Sequence, residues 1–181
     1  MDGAARRASR LSRGAVARFV KSKNYSKMQI VDIFSLAFLS GFAAESLDLV
    51  KLPKRPNSAQ ARDAGVGLGA LRNNKPLLLY AGSNPKTADI TFNLALRGYK
   101  FGDYHSAEDA LSVIPETQIM VRHPEKCRAE STWLRSVKHG VYFTRDLVNE
   151  AANVLTTTVF AARLEKLIDF GLQVQIIDEE R

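Results

Sequence analysis

A chain of 181 residues that is 45% apolar and 25% charged has the composition of one ordinary globular domain, which excludes a disordered or collagen-like polymer. The single cysteine, Cys127, and the absence of any CxxC pair or Cys/His cluster exclude a disulfide scaffold and a structural zinc module. The net charge of +7 is localised: Met1 to Lys27 carries eight Lys and Arg against Asp2 alone, whereas the rest carries 18 residues of each sign. Bulk attraction to phosphate therefore belongs to the first 27 residues.

Those residues are rich in Arg, Ala and Ser, and Leu11, Ala15 and Phe19 recur at helical spacing. This is the pattern of an organellar transit peptide. A retained basic arm that binds RNA or a protein groove, and a plain solvated tail, are the competing readings. As an arm, Arg6, Arg7, Arg10, Arg13, Arg18, Lys21 and Lys23 are its candidate contacts, because spaced cations neutralise phosphates without reading bases.

The apolar run Ile30 to Ala44 carries Asp32, Ser35 and Ser40 and falls short of the roughly 18 residues a membrane helix needs, so no membrane span is expected. Periodicity leaves Ile30 to Glu45 open between a helix and a strand pair. Leu47 to Leu52 alternates as a strand, and the Pro53 to Ser58 loop leads into a small-residue helix, Ala59 to Arg72, with Ser58 as its cap. Leu77 to Ala81 is a continuous apolar run, the pattern of a strand buried on both faces. A helix over Thr87 to Tyr99, a strand over Gln118 to Arg122, helices over Ala129 to Asn149 and Thr157 to Phe170, and a strand over Leu172 to Ile177 follow. Alternation of helices with apolar strands defines a layered α/β domain.

Residue chemistry alone assembles no reaction centre. Gly65, Gly67 and Gly69 form a GxGxG run, but it follows AQARDA rather than a strand, so close helix packing explains it better than a dinucleotide fingerprint. Gly82-Ser83-Asn84-Pro85 does follow a strand and could cradle an anion, though an ordinary strand-to-helix turn serves equally. His105, His123 and His139, with Asp103, Glu108 and Asp146, show no HExxH spacing, and no serine lies in a nucleophile elbow. Trp133, Tyr99, Phe101 and Tyr104 could stack on bases but read more simply as packing.

Two segments carry a family resemblance. Gly140 to Thr156, GVYFTRDLVNEAANVLT, resembles the helix and turn joining the two domains of the leucyl aminopeptidase family, where a pattern close to ARDLVNEPANVLTP recurs. Phe160 to Glu179, FAARLEKLIDFGLQVQIIDE, is similar to the next helix and strand of those enzymes. Leu94 to Ser106, LALRGYKFGDYHS, and ARDAGVGLGALRNNKPLLLYAG upstream fall where the family has comparable segments. The resemblance implies a layered α/β domain with a mixed sheet flanked by helices, truncated at its start. Its organisation would be a basic leader over 1–29 and an aminopeptidase N-terminal-like domain over 30–181, with the interdomain helix from about residue 129.

Family members are two-metal exopeptidases whose metal ligands and catalytic Lys and Arg lie in a C-terminal domain. No GKG, DSGG or NTDAEGRL-like run occurs in the 181 residues, so no catalytic, metal or cofactor residue is carried over. Ala151 and Thr157 stand where the family usually has proline, which implies a relaxed constraint at the domain junction; Thr156 remains able to cap the following helix.

The expectation is a non-catalytic, aminopeptidase-derived interaction module. Its partners would be protein subunits of a large organellar assembly such as a mitochondrial ribosome, with rRNA met through the leader. The alternative is the N-terminal regulatory or oligomerisation half of a split or truncated metallo-aminopeptidase, partnered by a separate catalytic half. Leu155, Val159, Phe160 and Leu164 lie near the junction and form the candidate protein interface.

Overall fold

The computed structural model describes residues 21, 23–37, 46–72, 75–101 and 116–177. The described residues divide into two compact units: one holds those up to Tyr99 together with 116–136, the other holds 100–101 and 137–177. No helix among them is long and apolar enough to cross a membrane.

The first unit opens with a short helix α1 (Lys23–Lys27) and two antiparallel strands, β1 (Ile33–Ala37) and β2 (Ser46–Val50), in the register Ile33↔Val50 to Ala37↔Ser46. For Ile30 to Glu45 the structure thus selects a strand over Ile33–Ala37; residues 38–45 lie outside the described set. Lys51 ties this pair to the end of α1, donating through Nζ to the carbonyls of Met28 at 2.6 Å and Tyr25 at 3.3 Å.

Helix α2 (Ser58–Leu71) starts in a capping box. The Asn57 side chain accepts from the Gln60 amide at 2.8 Å, and the Asn57 amide donates to Gln60 Oε1 at 3.0 Å, so two otherwise orphaned donors are satisfied together. This corrects the assignment of Ser58 as the cap: Ser58 is the first helical residue, and its hydroxyl accepts from Lys86 Nζ at 3.2 Å. Ala61, Ala64, Gly65 and Leu68 recur at the 3, 1 and 3 steps of one helical face and are buried.

Strand β3 (Leu77–Gly82) runs parallel to β4 (Thr117–Val121), with α3 (Thr87–Arg97) in the connection. Ala61 and Leu68 of α2 and Ile90 and Leu94 of α3 form the core; Leu77 and Leu79 of β3 and Ile33, Val50 and Leu52 pack against it. The glycines of α2 make this packing possible. A Cβ on Gly69 would lie 2.8 Å from Arg97 Cβ, and one on Gly65 would collide with the carbonyl oxygen of Ile90. Gly65 and Gly69 of the GxGxG run therefore line a helix-packing seam against α3, while a Cβ on Gly67 would meet the Ile33 side chain of β1.

Leu77 to Ala81 is a strand, as its apolar run indicates, but it is not buried on both faces. Leu77 and Leu79 meet the core, while Leu78 is 49% and Tyr80 73% exposed. The physical reason is that α2 and α3 both cover the same side of the strand. The mixed pairing expected of the sheet is carried, among the described residues, by two separate two-stranded sheets, one antiparallel and one parallel.

Helix α4 (Pro124–Asn149) begins five residues earlier than its sequence pattern indicated, because Pro124 occupies the first turn, where its missing N–H costs nothing. It contributes residues to both units. In the second unit the chain turns after Asn149, with the Ala151 carbonyl accepting from Val154 and Leu155 at 2.9 Å each. Thr156 then caps α5 (Thr157–Glu165), accepting from the Val159 amide at 3.3 Å. The turn closes without either of the family's prolines.

Thr157 to Phe170 is not one α-helix: α5 gives way to a 3-10 turn over Lys166–Phe170, ended by Gly171 at φ +84°. Residues 172–177 form no strand. The alternating LQVQII pattern satisfies the side-chain requirement of a strand, but a strand also needs a hydrogen-bonded neighbour, and none of the described residues supplies one.

Candidate interaction surfaces

The basic leader contributes little to what can be placed. Arg6, Arg7, Arg10, Arg13 and Arg18 lie outside the described residues, Lys21 is exposed, and Lys23 begins α1. His105, Asp103, Glu108 and Tyr104 are also outside the described set. His123 and His139 are exposed, Cys127 is half-buried with a free thiol, and Asp146 is half-buried. Among the described residues no group of three or more His, Cys, Asp or Glu converges on a point that could hold a metal ion.

The loop after β3 is a tight strand-to-helix turn. Gly82 adopts φ +56°, and its carbonyl accepts from the Arg122 amide at 2.8 Å, which joins the carboxyl ends of β3 and β4. Asn84 donates its amide to the Ala81 carbonyl at 3.0 Å and accepts the Lys86 amide on its own side chain at 2.9 Å. The Thr87 hydroxyl donates to the Asn84 carbonyl at 2.8 Å. Pro85 has no amide hydrogen, and the Asn84 and Lys86 amides and the Thr87 hydroxyl are engaged within an ordinary strand-to-helix turn.

One buried charge pair organises the second unit. Glu150, whose side chain is 2% exposed, accepts from the Arg163 guanidinium at 2.5 Å, joining the segment after α4 to α5. On α4, burial holds the Tyr142 phenol above its usual range, opposed in part by the positive charge of Arg145; Lys138 Nζ lies 5.4 Å from the centre of the Tyr142 ring, within cation–π range.

The larger features are apolar. Tyr80 and Leu78 share the outer face of β3, and the parallel register sets Met120 and Gln118 of β4 beside them. Trp133 and Val148 are exposed on α4. Of the four residues expected to form a protein interface, Phe160 is exposed and Leu155, Val159 and Leu164 are half-buried. Beyond these four, Phe170 is 81% and Ile177 75% exposed, with Ile168, Leu172 and Ile176 also exposed. The sequence pattern assigned Leu172 to Ile177 to a strand and did not include it in the expected interface. The signal that could have exposed it is the lack of a second β-type segment after α4 with which it could pair.

These features define an α/β fold whose outward apolar residues include a pair on the outer face of β3 and a run over 168–177. A probable cytosol aminopeptidase of Dinoroseobacter shibae is 41% identical over 180 residues, which cover 99% of this chain and 36% of that protein. The corresponding protein of Cereibacter sphaeroides is 39% identical over the same shares. No family model matches the sequence. Among solved structures, the bottromycin maturation enzyme BotP in complex with Mn superposes with a TM-score of 0.60 at 19% identity, over 81% of this chain and 32% of that one. This chain belongs with the cytosol aminopeptidases and corresponds to an N-terminal part of them, spanning little more than a third of the length of these relatives.

Proposed function

We propose that this chain is the N-terminal interaction module of a cytosol-type aminopeptidase, contributing a docking and assembly surface to the catalytic remainder of such an enzyme rather than a reaction centre. The observation that carries the reading is the match along 99% of the chain to proteins of which it spans 36%. The exposed apolar residues of the second unit support it: isolated apolar side chains are common on surfaces, whereas a contiguous set is the usual mark of a protein contact.

A second reading, a structural subunit of an organellar ribonucleoprotein, is favoured by one specific feature, the eight cations of the first 27 residues. In that case the leader serves as an import signal or as an arm neutralising rRNA phosphates. The aligned span shared with the bacterial relatives takes in nearly all of that segment, which weighs towards a part of the aminopeptidase architecture.

Sedimentation of the tagged protein from its own cells, with and without ribonuclease, separates the two. The proposal expects a ribonuclease-resistant complex containing an aminopeptidase catalytic region, with metal-dependent release of N-terminal leucine. A fast, ribonuclease-sensitive particle rich in ribosomal proteins would replace it with the second reading.

A further inference from the structure

The chain enters α2 through a loop bracketed by two prolines, Pro53-Lys54-Arg55-Pro56-Asn57-Ser58. A residue that precedes proline is biased towards extended backbone, which applies to Arg55, and Asn57 is extended as well at φ −79° and ψ 173°. Pro56 is buried and anchors the loop, while Lys54, Arg55, Asn57 and Ser58 are exposed. The Lys54 and Arg55 side chains make no ion pair or hydrogen bond with the described residues. Two exposed cations therefore precede Ser58 by four and three residues on an extended approach.

Ser58 is the first residue of α2, and its hydroxyl already lies against a cation, accepting from Lys86 Nζ at 3.2 Å. The same ammonium pairs with Asp89 at 3.1 Å, and an ammonium has three donors, so one is left for a further acceptor. A dianionic group on this hydroxyl would meet both that lysine and the positive end of the helix dipole, forming charge-assisted bonds. A serine reached through an extended segment with arginine three residues ahead also has the form of a substrate for a protein kinase whose acidic cleft reads basic residues. Seating it in such a cleft opens a single turn of α2, held by the capping box and by the Ala61 amide on the Asn57 carbonyl at 3.1 Å.

We propose that Ser58 is a phosphorylation site, modified by a kinase that recognises Arg55, with Lys86 as the cation that receives the phosphate. Ser58 Oγ bonds to the terminal phosphorus of a nucleoside triphosphate, and the bond from that phosphorus to the bridging oxygen breaks. The nucleoside diphosphate leaves, and the hydroxyl proton passes to a base of the kinase. The product carries about two negative charges at neutral pH beside a loop with two unpaired cations. It ties the start of α2 to the start of α3 through Lys86 and changes this end of the first unit from cationic to near neutral.

The test purifies the full chain from its own cells with phosphatases inhibited and maps phosphate by mass spectrometry. One phosphoryl group is expected on Ser58 of the parent, and Ser58→Ala is expected to abolish it. Arg55→Ala is expected to lower its occupancy by about tenfold or more, because a charge-assisted contact to the kinase is lost. Arg55 has no ion pair or hydrogen bond to lose within the described residues, so that variant is expected to melt as the parent does. Phosphatase treatment is then expected to lower the melting temperature of the phosphorylated parent by roughly 2–4 °C and to leave that of Lys86→Ala unchanged. An unmodified Ser58, a phosphate carried only at other residues, or an occupancy indifferent to Arg55→Ala overturns the site. Equal melting of the parent with and without the phosphate overturns its pairing with Lys86.

Discussion

Gly65→Ala places a methyl group in the seam between α2 and α3. Its Cβ would collide with the Ile90 carbonyl oxygen and lie 2.9 Å from Asn93 Cβ and 3.0 Å from the Leu94 amide nitrogen. Two of these neighbours are backbone atoms of α3, so relief requires the helices to separate and disturbs the packing of Ala61, Leu68, Ile90 and Leu94. Overpacking of this kind costs about 3 kcal/mol at the upper end of its usual range. Alanine returns about 1 kcal/mol through its greater helix propensity, leaving a net loss of about 2 kcal/mol. Gly140 in α4 is the internal control, because a Cβ there meets nothing within 4 Å. Gly140→Ala should retain only the propensity gain, stabilising by about 1 kcal/mol. Urea unfolding followed by far-ultraviolet circular dichroism measures both, with a thermal shift for Gly65→Ala of roughly 4–8 °C downward. A Gly65→Ala protein as stable as the parent, at an unchanged denaturant slope, would refute the close-packed seam.

Arg163→Ala leaves the Glu150 carboxylate buried without its guanidinium partner and should destabilise the second unit by about 3 kcal/mol; proteolysis within 137–177 at least as slow as in the parent would contradict this. Asn57→Ala removes the side-chain half of the capping box and should cost about 1 kcal/mol, while Ser58→Ala should stay within about 0.5 kcal/mol. Equal effects of the two in the same unfolding assay would return the cap to Ser58. Replacing Arg6, Arg7, Arg10, Arg13 and Arg18 together should leave complex formation unchanged between low and high salt if the chain docks through apolar surface. Salt-dependent loss of incorporation would instead make those arginines phosphate contacts.

The outward faces of this domain follow from how few layers cover its strands. An α/β sheet is stabilised by helices on both sides, but α2 and α3 share one side, and Tyr80 remains 73% exposed on the other. Burying side chains such as Leu78 and Tyr80 is worth about 25 cal/mol per Å² of apolar area, so a partner that covers the outer face stabilises the strands as well as the complex. The same holds more strongly for Phe170 and Ile177.

Much of the fold was legible in the sequence because it depends on local rules. The small-residue face of α2, the apolar strand over Leu77–Gly82, the Thr156 cap and the packing role of Gly65, Gly67 and Gly69 all arise from spacing and side-chain size over a few residues. The family was legible in GVYFTRDLVNEAANVLT, a segment long enough to be specific, and the relatives bear it out. Only the tertiary structure decided which face of β3 is covered, that Lys86 engages the Ser58 hydroxyl, that Glu150 is buried against Arg163, and that 172–177 pairs with no strand among the described residues. Each of these depends on which distant residues arrive alongside. A pattern of alternating side chains states what a segment can pair with, but the hydrogen-bonded neighbour that makes it a strand is supplied from elsewhere.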